Sequence, residues 1–557
     1  MIGSIAERVQ EMKNDASNMI SEALNETYTY LKPKYKDDDL ETLKKQLLKL
    51  VNVKEHEFKS TEKETYTYEK IQEVLSTLNE KESIRKSKGV YYTPFDVVKF
   101  IIENTIKAVY GKLGANGLHV MDLNGIPYKS FCNTKRVLDP TSGAGEFLLA
   151  VLDIKFDLLD NHVDNVTPGM IKKIVSTIYG NDINSESTDI SKIRLFLCVL
   201  KRYGIRNCAS IEIILNENFT NQDAISNIPK FSSNFDMIIG NPPYVEDGKS
   251  ELSPKKKYGN IYANELVNSA ALLNDNGAMG FIIPLSYVST PRMKEVRNDL
   301  FSTLSEQYIL SYSDRPDCLF KSVHQKLCIL IAKKRKCEKK VFTGNYQYWY
   351  REERDALFDG TVAVKNQFFS DDYIPKLGTP EDVSIYRKII KGNNRKQLAQ
   401  MPDGGKNCVY INMRATFWIK AFRQLHDGSE YKKFGFNSCE IADYFSCLVN
   451  SSLFWWYWIC VSDCWHITSK ELKGFFAPTI DDYTLPVTLA QALESQLENT
   501  KEYVHTAQTE YEYKHKNCID QIHAIDDYVN GLYGLTPEES LYIKNFAYRY
   551  RISGGAQ

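Results

Sequence analysis

Residues 236–244 read Asp236-Met-Ile-Ile-Gly-Asn241-Pro242-Pro243-Tyr244, an apolar run typical of a buried strand followed at once by two prolines. Ligands of an open parallel sheet bind at the carboxyl ends of its strands, so the turn is a candidate site. The prolines stiffen the turn and donate no N–H. The Pro242 carbonyl and the Asn241 side-chain oxygen are then two acceptors for one amino group, and Tyr244 offers the face of its ring. The alternative is a proline-rich turn that binds no ligand. The neighbouring sequence must decide between the two interpretations.

Residues 136–148 supply a second candidate, reading Arg136-Val-Leu-Asp139-Pro140-Thr-Ser-Gly143-Ala-Gly145-Glu-Phe-Leu. The pattern predicts a strand, a loop of small residues and a helix start. Gly143 and Gly145 allow the backbone to approach a ligand closely, and Asp139 at the strand end can pair with an ammonium group. The segment lacks both the G-x-G-x-x-G dinucleotide pattern and a phosphate-binding Gly-Lys-Ser/Thr. A generic strand–turn–helix is the alternative.

The next predicted strand, Ile178-Tyr-Gly-Asn-Asp182, ends in an acid. A carboxylate in this place can accept both hydroxyls of a ribose. Asp182 follows Gly145 by 37 residues, which exceeds the usual spacing of about 20. A helical insertion around residues 155–175 accounts for the difference.

A third motif, Gly89-Val-Tyr-Tyr92-Thr93-Pro94, precedes a predicted helix. Thr93 is a good N-cap and Pro94 a good first-turn residue. Such a helix start presents free N–H groups to a carboxylate. Taken alone, the motif is simply a well-capped helix.

Apolar segments alternate with helical ones between residues 89 and 335, which predicts an α/β fold with a parallel, doubly wound sheet. The predicted helices include Glu146–Leu159 and Asn264–Leu273. The predicted strands are Arg136–Leu138, Thr177–Tyr179, Ile211–Leu215, Asp236–Ile239, Met279–Ile283 and Leu327–Ile331. Four regions follow: an N-terminal helical region 1–88, the α/β domain 89–335, an aromatic-rich mixed α+β domain 336–485, and a helical tail 486–557.

The 557 residues carry 70 Lys and Arg against 71 Asp and Glu, so the whole chain is not a polycation. Residues 331–480 hold 23 basic and 16 acidic residues, a net charge of +7, which leaves −8 for the rest. A polyanionic partner would therefore bind the third region. We find no signal peptide, and the apolar run Leu453–Val461 is too short to cross a membrane, so no membrane is expected.

Cysteine and histidine usage indicates neither disulfides nor a metal. The twelve cysteines show no framework spacing, which favours reduced thiols in a cytosolic protein. Cys460, Cys464 and His466 offer only three ligands at a spacing unlike that of zinc sites. We interpret them as packing residues and expect no metal.

The Thr-Pro helix start, Asp-Pro-x-x-Gly-x-Gly-x-Phe, the acid-ended strand and Asn-Pro-Pro-Tyr occur together and in this order. This order resembles the gamma-class DNA adenine-N6 amino-methyltransferases of restriction–modification systems, the TaqI family and its type IIG-like methylases. The resemblance covers about residues 85–335. It extends more loosely to 336–480, where Asn450–Trp456 and Ser462–His466 look like the family's target-recognition region.

The resemblance implies a Rossmann-like class I methyltransferase fold and S-adenosylmethionine (SAM) as cofactor. It implies that Tyr92, Thr93 and Pro94 hold the methionine carboxylate. The residues matching the rest of the family's cofactor site are Asp139 with Pro140, Gly143 and Gly145 (ammonium), Asp182 (ribose), and Asn218 and Phe219 (adenine). Asn218 departs from the family, which usually has Asp there.

The resemblance also implies a substrate, double-stranded DNA, with one adenine flipped into the pocket. Asn241, Pro242, Pro243 and Tyr244 match the catalytic motif, with Tyr244 stacking on the base, and Phe320 resembles the second stacking aromatic. The location implied is the prokaryotic cytoplasm with the nucleoid, and a separately encoded restriction endonuclease is a candidate partner. Lysines 255–257 either contact phosphates or form a solvated loop.

Other functions stay open at this point. A protein glutamine-N5 methyltransferase shares Asn-Pro-Pro-Tyr, but it predicts neither the Thr-Pro segment nor the basic aromatic region. An RNA base methyltransferase and a partner-dependent DNA-binding modification subunit are further alternatives. Exocyclic cytosine is chemically possible, although Asn rather than Ser before Pro-Pro favours adenine within the family.

Overall fold

The computed structural model describes residues 18–60, 66–78, 93–114, 116–118, 125–320, 324–426, 428–504 and 510–553. Its largest element is a nine-stranded sheet. The nine strands are β1 Val137–Asp139, β2 Ile178–Asn181, β3 Phe219–Thr220, β4 Phe235–Gly240, β5 Leu273–Pro284, β6 Glu306–Tyr312, β7 Leu327–Lys333, β8 Lys340–Gln347 and β9 Val364–Asn366. Their order across the sheet is β3-β2-β1-β4-β5-β7-β6-β8-β9.

The sheet is mixed rather than purely parallel. Neighbouring strands from β3 to β5 run parallel, whereas β7 lies antiparallel between β5 and β6. The predicted α/β fold with a doubly wound, Rossmann-like sheet is confirmed. The expected parallel arrangement holds from β3 to β5, and the sheet departs from it at β7, which lies between β5 and β6 and runs antiparallel to both.

Helices cover both faces of the sheet, and each face has its own apolar core. In β5, Met279 and Phe281 face one core, while Ala278 and Ile282 face the other. The helices of the first 335 residues are α1 (18–31), α2 Asp37–Leu50, α3 Tyr68–Leu78, α4 Phe95–Val109, α5 Tyr128–Thr134, α6 Glu146–Asp160, α7 Pro168–Val175, α8 Ser185–Tyr203, α9 Ile211–Asn218, α10 Tyr262–Leu272, α11 Ser286–Ser289 and α12 Lys294–Thr303.

The described part of the N-terminal helical region packs on α8 and α9. The Gln72 side chain of α3 and Arg194 of α8 exchange hydrogen bonds, with Arg194 Nε 2.9 Å from Gln72 Oε1. Lys192 Nζ donates to the Leu50 carbonyl at the end of α2 (2.6 Å). The buried leucines of α2 belong to the same core as α4, so these helices support one face of the sheet.

One predicted strand is a helix. Ile211–Leu215 was expected to be extended, but it forms the start of α9, which runs to Asn218. Ile211 and Leu215 are four residues apart and share one buried face, while Ile213 is 52% exposed. The spacing that buries this segment is therefore helical. The strand that follows, β3, has only two residues.

The remainder of the chain extends the sheet and then builds its own core. Strand β8 pairs with β6, and β9 pairs with β8 at the edge of the sheet. The later helices are α13 Pro380–Ile390, α14 Cys439–Asn450, α15 Ser452–Val461, α16 Ser469–Gly474, α17 Thr484–Thr500, α18 Ile519–Leu532, α19 Pro537–Asn545 and α20 Tyr548–Ser553. The later strands are β10 Arg395–Gln397, β11 Asn407–Asn412, β12 Lys420–Phe422, β13 Tyr431–Phe436, β14 Phe476–Pro478, β15 Glu502–Tyr503 and β16 Tyr511–Glu512.

The apolar run noted in the sequence lies in α15, in which every residue is buried. Helices α14, α18 and α19 pack around it. Among the helices of the described residues, none has both the length and the hydropathy of a membrane-spanning segment.

Candidate active site at the carboxyl ends of the strands

Two motifs that lie 148 residues apart in the chain meet at the carboxyl end of β4. Asn241 Nδ2 donates to Thr93 Oγ1 over 3.0 Å, and Thr93 is only 4% exposed. The expected N-cap role of Thr93 was wrong. Helix α4 begins at Phe95, and no side chain caps it. The Thr93 hydroxyl is used to fix Asn241 instead.

Tyr244 fixes the other end of the Asn241 amide. Its hydroxyl lies 2.5 Å from Asn241 Oδ1 and 2.8 Å from the Ile282 carbonyl oxygen. Burial raises the pKa of Tyr244 well above its usual range, so the hydroxyl stays protonated and can donate. A carbonyl oxygen has two acceptor positions. Asn241 Oδ1 can therefore accept from Tyr244 and from an amino group at the same time.

Asp139 lies at the end of β1, buried beside the Asn241 motif. Its Oδ1 accepts from the Thr141 N–H (3.1 Å). A Cβ on Gly240 would lie 2.9 Å from this oxygen, so the close approach of β4 to β1 requires glycine before Asn241. Burial raises the pKa of Asp139 well above the usual carboxyl range. The carboxylate would be stabilised by a cationic ligand.

The glycine loop after β1 is held in place by β2 and α8. The Gly143 N–H donates to Asp182 Oδ2 (2.9 Å), and Ser191 Oγ of α8 donates to the Gly143 carbonyl (2.8 Å). Gly145 has a φ of +84°, and a Cβ there would meet Ser191 Oγ at 2.6 Å. At Gly145 the loop therefore approaches α8 too closely for any other residue. The predicted close approach of Gly143 and Gly145 to a ligand stays a prediction.

Asn181 is a site residue that sequence reasoning missed. It is fully buried, and its Nδ2 donates to the carbonyls of Pro140 and Gln222 (2.8 and 2.9 Å). Its Oδ1 accepts from the Thr220 hydroxyl. One amide thus ties together the loops that follow β1, β2 and β3. The signal was an Asn immediately before Asp182 at a strand end.

One apolar and one acidic side chain near the predicted acids were also missed. Ile183, directly after Asp182, is 55% exposed. Glu265 of α10 is fully buried and accepts from the Thr141 hydroxyl (2.9 Å). Nothing in the local sequence distinguishes Glu265 from a solvent-facing glutamate of an amphipathic helix.

The structure does not bring Asn218 to the other predicted site residues. Asn218 lies at the amino end of β3, where its Nδ2 donates to the Ile178 carbonyl (2.9 Å). The Phe219 ring packs over Gly180, where a Cβ would lie 2.2 Å from the ring. Gln222 and Asp223 follow β3 at the carboxyl edge, and they line a cavity of about 670 Å³.

The remaining aromatic candidates are not exposed at the site. Phe320 is 2% exposed and belongs to the core under the sheet. The Tyr244 ring is half-buried and meets Tyr262 edge-on, with ring centroids 6.4 Å apart. Tyr92 lies outside the described residues, whereas Pro94 directly precedes α4.

Basic side chains surround an indole where the sheet meets the C-terminal region. Lys326, Arg414 and Arg315 lie 4.2, 4.5 and 5.8 Å from the ring of Trp465. Arg315 and Lys326 belong to the connection between β6 and β7. The carboxyl end of β6 lies at the same edge of the sheet as the carboxyl end of β1. Of these three cations, Arg414 belongs to the +7 region, so that region contributes positive charge beside the connection after β6.

The lysine run after the catalytic motif is only partly paired. Lys256 Nζ forms an ion pair with Asp299 at 2.6 Å. Lys255 and Lys257 are exposed. Lys255 and Lys256 line the cavity beside Gln222 and Asp223.

Residues 176–316 match the family model of the Eco57I restriction-modification methylase. Over these residues the chain is similar to the restriction–modification methylases. The resemblance read from the motifs is thereby confirmed at family level, while the gamma-class and TaqI subtype stays a prediction. The matched range runs from just before β2, through the Asn241 motif, to the connection that follows β6.

Two curated relatives agree with the family match. The chain is 22% identical over 328 residues to the type II restriction enzyme and methyltransferase RM.Eco57I of Escherichia coli, covering 50% of this chain and 31% of that protein. It is 26% identical over 204 residues to the type II methyltransferase M.BstVI of Geobacillus stearothermophilus, covering 34% and 36%. The matched part of the chain thus spans about a third of each relative.

A solved structure has a similar fold over most of the chain. The type IIL restriction-modification enzyme MmeI, in complex with DNA, superimposes with a TM-score of 0.50 at 13% identity. The superposition covers 86% of this chain and 81% of that chain. It extends beyond the methyltransferase sheet into the C-terminal region.

Proposed function

We propose that the protein is a sequence-specific DNA methyltransferase that transfers a methyl group from SAM to N6 of adenine in a restriction–modification system. The observation that carries the proposal is the Asn241 amide, whose orientation Thr93 and Tyr244 both fix. It lies at the carboxyl end of β4, beside acids from β1 and β2. The gamma-class assignment rests on the order of these motifs along the chain.

The residues present fit SAM. Asp139 is a buried carboxylate that a cation would stabilise, and Ser142 Oγ is buried without a hydrogen-bond partner among the described residues. Asp139 would hold the ammonium group and Asp182 the ribose, with Ile183 packing on the cofactor's adenine. When bound, SAM supplies an electrophilic methyl group on a cationic sulfonium.

The target amino group is a poor nucleophile, because its lone pair is delocalised into the adenine ring. Asn241 Oδ1 and the Pro242 carbonyl accept its two hydrogens and favour a tetrahedral nitrogen with a free lone pair. Positioning and fixed dipoles supply the acceleration. The proton leaves from a methylated nitrogen that is strongly acidic, so a strong base is not required.

Double-stranded DNA is the proposed substrate because the basic C-terminal region and the cations around Trp465 suit phosphate contacts. Extruding the base costs a few kcal/mol, which stacking and edge contacts offset. The Tyr244 ring would provide the stacking face while its hydroxyl stays on Asn241. The relative RM.Eco57I is named as both restriction enzyme and methyltransferase. For this chain, a separately encoded endonuclease is the proposed partner.

The test is to express the full chain in cells without adenine methylation and to map N6-methyladenine by single-molecule sequencing. We expect one fully modified motif, which Asn241→Ala abolishes while purified N241A still binds SAM. Unmodified DNA from cells with soluble, SAM-binding protein would refute the DNA assignment. Methylated RNA or glutamine in the same cells would then identify the substrate.

A further inference from the structure

Only one of the two carboxyl oxygens of Glu265 is used by the fold. Its side chain is fully buried, its Oε1 accepts from Thr141 Oγ1, and its Oε2 has no partner among the described residues. A buried carboxylate oxygen without a partner is costly and is rarely left so in a native protein. A ligand group that is absent from the described chain would satisfy it.

Thr141 joins Glu265 to the cofactor acids. Its hydroxyl donates to Glu265, and its backbone N–H donates to Asp139 Oδ1. The two carboxyl groups therefore flank one residue. No lysine, arginine or histidine of the described chain forms an ion pair with either of them. Burial, followed by repulsion from Asp139, raises the pKa of Glu265.

The charges of SAM indicate which part of the cofactor Glu265 faces. SAM carries two cationic groups, the ammonium and the sulfonium, joined by a short carbon chain. Asp139 is the acid proposed for the ammonium, and both oxygens of Asp182 accept backbone N–H groups, those of Gly143 and Asn184. Glu265 is the remaining acid, with one oxygen that has no partner among the described residues, and the sulfonium is the remaining cation.

We propose that Glu265 is a third carboxylate of the cofactor site and that it faces the sulfonium charge of SAM. This inference rests on the proposed function. It adds to that function a role for Glu265: this residue would discriminate between SAM and the product S-adenosylhomocysteine, whose sulfur is neutral. The sulfonium of the cofactor attracts this carboxylate and the neutral sulfur of the product does not, so the product leaves more easily.

The test is calorimetric binding of SAM and S-adenosylhomocysteine to the purified full chain. Glu265→Gln keeps the acceptor for Thr141 and removes only the charge. We expect roughly tenfold or greater loss of SAM affinity, and a loss of less than about threefold for the product. Glu212→Gln is the matched control, because Glu212 is also buried with an unpartnered oxygen among the described residues but lies on α9, away from the carboxyl edge.

Each other outcome overturns the inference. SAM affinity within about twofold of wild type in E265Q, or an equal loss for both ligands, would show that Glu265 does not face the sulfonium. Glu265→Asp keeps the charge and must retain the preference for SAM, which covers a failure of E265Q to fold. A wild-type chain that binds neither ligand would instead refute the proposed function itself.

Discussion

The hydrogen bond between Thr93 and Asn241 should control the rate of methyl transfer. Thr93→Val keeps the shape and removes the acceptor, so Asn241 Nδ2 no longer donates to Oγ1 in a site where Thr93 is 4% exposed. The loss of one hydrogen bond costs about 0.5–1.5 kcal/mol. If that cost falls on the transition state, the rate of methyl transfer drops roughly 2- to 12-fold.

The assay is single-turnover methylation of a duplex containing the recognition site, with tritiated SAM at saturation and SAM affinity measured separately. Thr93→Ser is the matched control, because it retains the hydroxyl, and it should stay within about threefold of wild type. The N–H groups at the start of α4 would still hold the cofactor carboxylate. SAM affinity in T93V should therefore fall much less than the rate. The reasoning fails if T93V is as fast as T93S, or if its whole defect is in SAM affinity.

Three further predictions follow from charge and backbone geometry. Because burial raises the pKa of Asp139 and a cation binds its ionised form, SAM affinity should rise with pH up to that raised pKa and then level off. Calorimetry between about pH 5.5 and pH 8.5 should show proton release on binding, and a flat affinity would contradict this. The same shift makes the free protein less stable as pH rises, because the unfolded chain ionises first. The double variant Arg315→Ala with Arg414→Ala should weaken DNA binding. The slope of log affinity against log salt should become shallower by about 0.9 for each phosphate that is no longer neutralised. An unchanged slope would show that DNA binds elsewhere. Gly145 has a φ of +84° and lies against Ser191. Gly145→Ala should therefore destabilise the loop by about 1–3 kcal/mol, measured by thermal melts, and lower the affinity for SAM, measured by calorimetry. Wild-type stability together with wild-type affinity would refute the close approach.

The strands that carry the site could be predicted because buried central strands have continuous apolar sequences that end at polar motif residues. Leu327–Ile331 was predicted, and β7 runs from Leu327 to Lys333. The pattern misled at Ile211–Leu215, since five apolar-rich residues satisfy a strand and a helical turn equally well. Only the exposure of Ile213 in the folded chain distinguishes them. Strand β3 is too short to leave any periodic signal.

The site was predictable where a motif determines it and not where a distant contact does. Asp139, Asp182 and Asn241 end strands of one parallel set, so their convergence followed from the fold class. Asn181 and Glu265 act through partners 41 and 124 residues away, and no local pattern encodes such pairs. Thr93 shows the same limit. The residues around it suit an N-cap, whereas its hydroxyl accepts a hydrogen bond from Asn241, a residue far away in the chain.

The carboxyl edge of the sheet carries acidic and basic groups that must not neutralise each other. The acids Asp139 and Asp182 end β1 and β2, whereas Arg315 follows β6. The strand order places four strand spacings between β1 and β6, or roughly 19 Å. This is about twice the Debye length of some 8 Å at physiological salt. A cationic cofactor and a polyanionic substrate can therefore each meet a complementary field, and the Asn241 amide at the end of β4 lies between the two, where the methyl group would be transferred.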